Sequence, residues 1–342
     1  MKYLLGYTIP LSAWLSLYLL GNYSYITIIF TFGLVPILDS AIPINKQNLS
    51  KEKAEKIKNE AYYDWILYLN LPLVFCLLAY GFWILSTKNL GNLELGGLIS
   101  TLGILIGTNG INVAHELGHR ADRFDKTLAK ILLIPALYMH FFIEHNFGHH
   151  KNIGTDEDGA SARKNQMVYH FWLTTVIKQY LSAWKIQLQL LNKKELGFFS
   201  TKNDMFYFTI IQGAYLFMIF QFFGMLGLGI AVSMAIFAIL LLETINYIEH
   251  YGLRRKLENG KYERVRPIHS WNSDHVLGRY ILYELTRHSD HHHISSKKYQ
   301  ILESKEDSLN LPYGYPTSMM IALVPPLWFK LMNPKIRELN TM

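Results

Sequence analysis

The chain predicts an all-α, polytopic membrane protein, with six transmembrane helices and a histidine-rich cap on the inner side of the bilayer. Three observations predict it. Half of the 342 residues are hydrophobic and only 17% are charged. The charges are absent from several windows near the roughly 20 residues a helix needs to cross a bilayer. Most of the 14 histidines gather in tight groups at the inner ends of those windows.

The spans read, in order, as about 2–20, 23–43, 62–85, 93–113, 205–223 and 226–247. The first begins with one lysine and could open a cleaved signal. However, Gly21-Asn22 leads straight into a second apolar run, so the pair is read as a retained hairpin. Spans three and four meet in a short polar loop at Asn89–Asn92, and the last two at Gly224–Gly227. With the N-terminus inside, the outer loops hold one basic residue, Lys88, and the remaining Lys and Arg fall on the inner side. The stretch Lys51–Glu60 is a solvated inner loop. The apolar segment Thr127–Ile143 is shorter, carries Lys130 and Pro135, and ends in histidines. It is expected to lie at or dip into the inner surface, because a crossing would separate His145–His150 from His115 and His119. The cap is then about 114–204 and 248–342, and residues 1–342 form one integral-membrane domain without internal repeats. The net charge of +7 follows this sidedness and does not indicate nucleic-acid binding.

One cysteine, Cys76, excludes a disulfide framework and a thiolate metal site. Any metal must rest on histidine, carboxylate or backbone. His115 and His119 sit in His-Glu-Leu-Gly-His, one helical turn apart on one face. His145, His149 and His150 follow in Glu-His-Asn-Phe-Gly-His-His, with the same i, i+4 spacing plus a neighbour. His250 closes the last span, and His288, His291 and His292 lie in Arg-His-Ser-Asp-His-His. One zinc takes about four ligands; this many candidate nitrogens from four places in the chain points to two metals. His140, His170, His269, His275 and His293 stand apart and read as ordinary hydrogen-bonded or interfacial residues. Glu116, Glu144 and Glu249, beside the clusters, are candidates to offset metal charge and orient imidazoles. Asp158, with Asp156 and Glu157, either braces the second cluster or forms a solvated turn.

Imidazole alone does not select the metal. His-Glu-Leu-Gly-His also matches the zinc-protease pattern, in which the glutamate is general base. That reading uses two of the clustered histidines and needs a third ligand, for which Glu243 is the acid available in the last two spans before Glu249. A metal transporter would need polar ligands along the spans, which show almost none.

Longer strings carry a resemblance. Asn112-Val113-Ala114-His115-Glu116-Leu117-Gly118-His119-Arg120 resembles the first histidine box of bacterial alkane 1-monooxygenases. Glu144 through Lys151 resembles the second box, and Leu285-Thr286-Arg287-His288-Ser289-Asp290-His291-His292 the third. Asn246-Tyr247-Ile248-Glu249-His250-Tyr251-Gly252-Leu253 resembles the block separating this family from membrane fatty-acid desaturases. The likeness runs from about residue 60 to the C-terminus. It implies a six-span bundle in the bacterial inner membrane, with a cytosolic cap holding two non-haem iron ions. The implied ligands are His115, His119, His145, His149, His150, His250, His288, His291 and His292. The implied activity is terminal hydroxylation of medium-chain n-alkanes with O2. Electrons would come from NADH through a rubredoxin reductase and a rubredoxin, which the single cysteine shows is not fused to this chain. Related hydroxylases and desaturases acting on fatty acyl or alkyl-aromatic substrates share the motifs. An alkane would enter from the bilayer into a pocket walled by the first four spans, with Trp14, Phe30, Phe32 and Trp65 as candidates to measure its length. Arg254, Arg255, Lys256, Arg264 and Arg266 are candidates for docking an acidic electron donor.

Overall fold

Long apolar windows do form the long helices. The computed structural model describes residues 1–341, with side chains to Ile336. Among the described residues, four helices are long and apolar enough to cross a membrane: Gly21–Ala41, Ala61–Thr87, Asn92–Gly118 and Asp204–His250. The fourth is two helices joined at a break, since Gly224 sits at φ 63°, ψ −162° in its middle. Only glycine adopts that conformation cheaply, so the predicted turn at Gly224–Gly227 falls where a residue without a side chain allows it. The first apolar run, by contrast, is a short 3-10 turn followed by the helix Thr8–Leu19. Leu20 and Gly21, both with positive φ, reverse the chain after it.

Asn92–Gly118 is the central helix. Its most apolar stretch is 83% buried, against 33–39% for the other three. Gly103 lets it approach the last span closely, because a Cβ there would lie 2.8 Å from Phe237. Glu94 clasps its N-terminal end, accepting from Gly91 N at 3.0 Å and from Gly21 N of the neighbouring hairpin turn at 3.0 Å. Two stretches depart from α geometry into π-helix beside the cavity described below: Phe30–Leu34 and Ile106–Ile111.

The segment Thr127–Ile143 is not one helix. An amphipathic helix, Arg123–Leu132, starts on the Asp122 cap and stops, and Leu137 at φ 53° turns the chain into Phe141–Glu144. Sequence reading passed over a 25-residue helix, Val168–Asn192, whose exposed Leu173, Ile177 and Leu181 form an apolar stripe. The rest of the cap is short helices, the 17-residue helix Pro325–Thr341 and two small ladders, Leu257–Glu258 with Lys261–Tyr262 and Trp271–Asn272 with Leu309–Asn310. Tyr247, Tyr251, Trp271, Tyr315 and Trp328 pack its core.

Candidate metal centre

Four chain segments bring their histidines together. The C-terminal end of the central helix supplies His115, and His119 caps it. The segment Phe141–Asn152 supplies His145, His149 and His150; the last turn of Asp204–His250 supplies His250; and the short helix His288–His293 supplies His288, His291 and His292. The helix His288–His293 is aimed by two consecutive left-handed residues, Tyr283 and Glu284, at φ 52° and 59°. Glu284 is locked there by Arg279 at 2.7 Å, Tyr3 OH at 3.0 Å and Lys2 at 3.1 Å.

The ring nitrogens form two groups, His115, His119, His145, His150 and His291 in one, and His149, His250, His288 and His292 in the other. Within each, the nitrogens lie within 4.8 Å of one another. The groups adjoin, since the rings of His150 and His292 are 4.3 Å apart. The grouping differs from helical expectation at one place. His145 and His149, four apart, belong to different groups, while His145 pairs with His150, five apart, at 3.1 Å. The reason is local: His145–His149 is a π-helical turn, whose hydrogen bonds run i to i+5.

The arrangement fits metal ions. In the second group the Nε2 atoms form a row: His149 to His292 at 3.3 Å, His292 to His288 at 2.9 Å, and His288 to His250 at 3.2 Å. An imidazole nitrogen either carries a hydrogen or offers a lone pair. Alternating donors and acceptors along this row leaves one hydrogen to serve two neighbours. Any other order sets two hydrogens or two lone pairs face to face. A cation shared by four lone pairs resolves the conflict, and ligands at about 2.1 Å from one ion lie about 3.0–3.4 Å apart at right or tetrahedral angles. In the first group the Nε2 atoms of His115, His119 and His291 are buried without any partner. Burial, then neighbouring imidazoles, hold His119, His145, His150, His288 and His292 well below the ordinary imidazole value. Burial pushes His291 down to about 3. These rings are neutral, with lone pairs free for a metal.

His149 is the exception. Burial lowers it, but the Asp158 carboxylate more than compensates and raises it. Asp158 receives His149 Nδ1 at 3.0 Å, Ser161 Oγ at 2.5 Å and Ala160 N at 3.0 Å, all in the interior. Of the three glutamates singled out, Glu249 touches the site: its Oε2 is 3.1 Å from His288 Nε2, and its Oε1 accepts from Tyr315 OH at 2.7 Å. Glu116 instead joins Arg120, which also reaches Asp64 and Asp125. Glu144 is buried without touching a ring nitrogen, and burial pushes it up to about 8. Asp290 is held by Lys297 and Lys305.

The remaining histidines stand outside both groups. His140 packs against Tyr138 and Tyr180, His269 bonds Arg266 N and Glu263, His275 bonds Ser273, and His170 and His293 are exposed. Glu243, the acid a zinc protease would need, is elsewhere as well. It accepts from Tyr138, Thr175, Gln179 and Asn246, at 2.9–3.1 Å.

An apolar cavity of about 900 Å³, its mouth included, ends on His115, His145, His288 and Glu249. Ile9, Phe32, Val35, Ile104 and Leu241 are among its walls. The sixth predicted span therefore contributes, which sequence reading did not anticipate. Phe32 lines the cavity; Trp14 and Trp65 are 44% and 61% exposed and lie outside it, and Phe30 packs in the cap core. A second apolar hollow lies alongside, and Phe32, Leu241 and Met319 line both. Of the five basic residues considered for docking, Arg255 and Arg266 are engaged with Glu263, and Arg255 also reaches Lys151 O. Arg254 borders a polar surface hollow with Arg163, Lys164 and Lys178, whose floor includes Asp158.

Comparison with known proteins gives a consistent result. A family model described as fatty acid desaturase matches residues 93–307. The chain is 36% identical to "Alkane 1-monooxygenase 2" of Pseudomonas aeruginosa, over 96% of this chain and 89% of that one. It is 36% identical to "Alkane 1-monooxygenase" of Acinetobacter baylyi, over 89% and 75% respectively. It is 27% identical to the xylene/toluene monooxygenase hydroxylase component of Pseudomonas putida, over 90% and 81%.

Proposed function

The chain belongs to the alkane 1-monooxygenases, a membrane-enzyme family within the fatty acid desaturase group, and on that premise we propose that it hydroxylates the terminal carbon of medium-chain n-alkanes. The balance is RH + O2 + 2 electrons + 2 protons giving ROH + water. The electrons come from a reduced rubredoxin supplied by an NADH-dependent reductase. The observation that carries this reading is the apolar cavity closing on both histidine groups.

His115, His119, His145, His150 and His291 would hold one iron, and His149, His250, His288 and His292 the other. Bound iron would supply the activation of O2 and the removal of hydrogen from an unactivated carbon. The protein does the rest. As ligands, the nine imidazoles would leave the charge of two cations uncompensated. Asp158, on His149 Nδ1, would offset part of it and fix that ring's orientation, and Glu249, beside His288 Nε2 on the metal-facing side, would offset a further part. The apolar walls exclude water and admit a chain with no polar recognition group. Phe32, Leu241 and Met319 separate the cavity from the outer hollow, so a bilayer-dissolved alkane reaches the site by passing them.

The topology completes the picture: six spans, a single domain, and the histidine cap on the cytoplasmic side of the bacterial inner membrane. The sidedness rests on the basic inner loops. Alkyl-aromatic methyl groups are the second substrate class, favoured by the similarity to the xylene/toluene enzyme. The test is whole-cell conversion of an n-alkane ladder alongside xylene, with gas chromatography of the alcohols. Primary alkanols from the alkanes support the reading. Oxidation of xylene alone, or of neither, refutes it.

A further inference from the structure

The apolar cavity contains two polar side chains that neither touch the histidines nor serve the protein's own hydrogen bonding fully. Asn112 lies one turn before His115, and Asn246 one turn before Glu249 and His250; both line the cavity. Each carboxamide has its orientation fixed from behind. Asn112 gives its NH2 to Leu282 O at 3.1 Å, and Asn246 gives its NH2 to the Glu243 carboxylate at 3.1 Å. Both partners only accept, so neither amide can be turned round. Glu243 is in turn held by Tyr138, Thr175 and Gln179.

The carboxamide oxygens are what remains. Among the described residues, neither Oδ1 meets a donor, and neither is sealed within protein as the unpartnered buried atoms are. Of the other polar groups in the same wall, Thr108 Oγ1 is spent on Ile104 O and Tyr315 OH on Glu249, while Thr31 Oγ1 is buried without a partner on the Phe30–Leu34 stretch. A cavity for a hydrocarbon thus presents two carboxamide acceptors beside the metal-binding end.

We propose that Asn112 and Asn246 form a hydroxyl-binding subsite that receives the O–H of the primary alcohol, with Glu243 as the positioning residue that turns Asn246. This rests on the reading of the cavity as the alkyl-chain site. A saturated chain end has nothing to offer an acceptor, whereas the product's hydroxyl is a donor. In a dry cavity, that donor needs a partner. The subsite therefore distinguishes product from substrate at the same position in the pocket. It holds the alcohol after the reaction and makes long-chain alcohols competitive inhibitors.

The test measures binding of 1-octanol and of octane to the resting, iron-loaded enzyme in detergent, by displacement of one from the other, together with product inhibition. Asn246→Leu and Asn112→Leu should each weaken 1-octanol binding about tenfold and leave octane binding within twofold. Glu243→Gln, which sets one NH2 against another at Asn246, should show the same selective loss with the cavity wall intact. Thr31→Val, removing a different hydroxyl from the same wall, should not discriminate. Equal loss for octane and octanol, no loss for either, or discrimination at Thr31 instead overturns the proposal. Water alone held by these oxygens would leave octanol binding unchanged in the variants, and so also counts against it. If the wild-type enzyme neither binds nor converts octane, the function reading itself has failed, which is a separate result.

Discussion

Replacing Asp158 with asparagine tests whether the second histidine group is built to hold a metal. The side chain is nearly isosteric and the site is fully interior, so packing is preserved. What changes is the anion facing His149 Nδ1. Asp158 also accepts from Ser161 Oγ and Ala160 N, at 2.5 and 3.0 Å. Asparagine has one acceptor oxygen for these three donors, and its NH2 must face one of them. A hydrogen bond involving a charged group contributes about 1.5–3 kcal/mol. Loss of an outer carboxylate on a metal-bound imidazole typically costs about 10–100-fold in metal affinity, which is the same energy on a scale of about 1.4 kcal/mol per decade. The assay is iron retention by purified enzyme titrated with a chelator, with the exposed Asp156→Asn as control. Asp158→Asn should release one iron at about 10–100-fold lower chelator strength, while the second iron, on the five-histidine group, is held as in the parent. A variant that retains both ions like the parent would refute the bracing role of Asp158.

Other outcomes follow from the same geometry. His150→Ala should lower iron stoichiometry and abolish hydroxylation, whereas His293→Ala, outside both groups, should change neither; elemental analysis and alcohol yield decide. Arg120→Leu leaves Glu116, Asp64 and Asp125 facing one another and should destabilise the protein by about 3–5 kcal/mol, read as a drop in thermal unfolding temperature in detergent. Phe32→Ala joins the cavity to the outer hollow and should shift conversion toward longer alkanes, measured on the alkane ladder. Burial raises Glu284, but its bonds and charge contacts with Arg279 and Lys2 bring it below the ordinary value of 4.5. A depressed carboxyl stabilises above its unfolded value, and that stability is lost as pH falls through the folded one. Unfolding on acidification below about pH 4.5 should therefore be blunted in Glu284→Gln relative to parent, as followed by circular dichroism.

Much of this was legible because hydropathy and histidine spacing are local signals. The spans near 62–85, 93–113 and 205–247 coincide with long helices, and even the Gly224 turn was marked by its glycine. The clustered histidines were visible as residues, but their partition was not. Spacing of four suggests one face of an α-helix, and nothing in Glu-His-Asn-Phe-Gly-His-His declares a π-turn. Asp158 was read with Asp156 and Glu157 as either a brace or a solvated turn, and only the fold separates them, burying Asp158 while leaving the other two in solvent. The helix Val168–Asn192 was missed because its lysines and glutamines dilute the hydropathy of its apolar stripe. The last span's share of the cavity was invisible because wall membership depends on packing between distant segments.

The π-turn at His145–His149 carries one more implication. Were that turn ordinary α-helix, residues 145 and 149 would point the same way and could grip only a single ion. One surplus backbone step rotates the two rings apart, so a single stretch of polypeptide reaches both halves of the centre. An α-helical turn of the same length would swing His149 toward the five-histidine group and take one ring from the other.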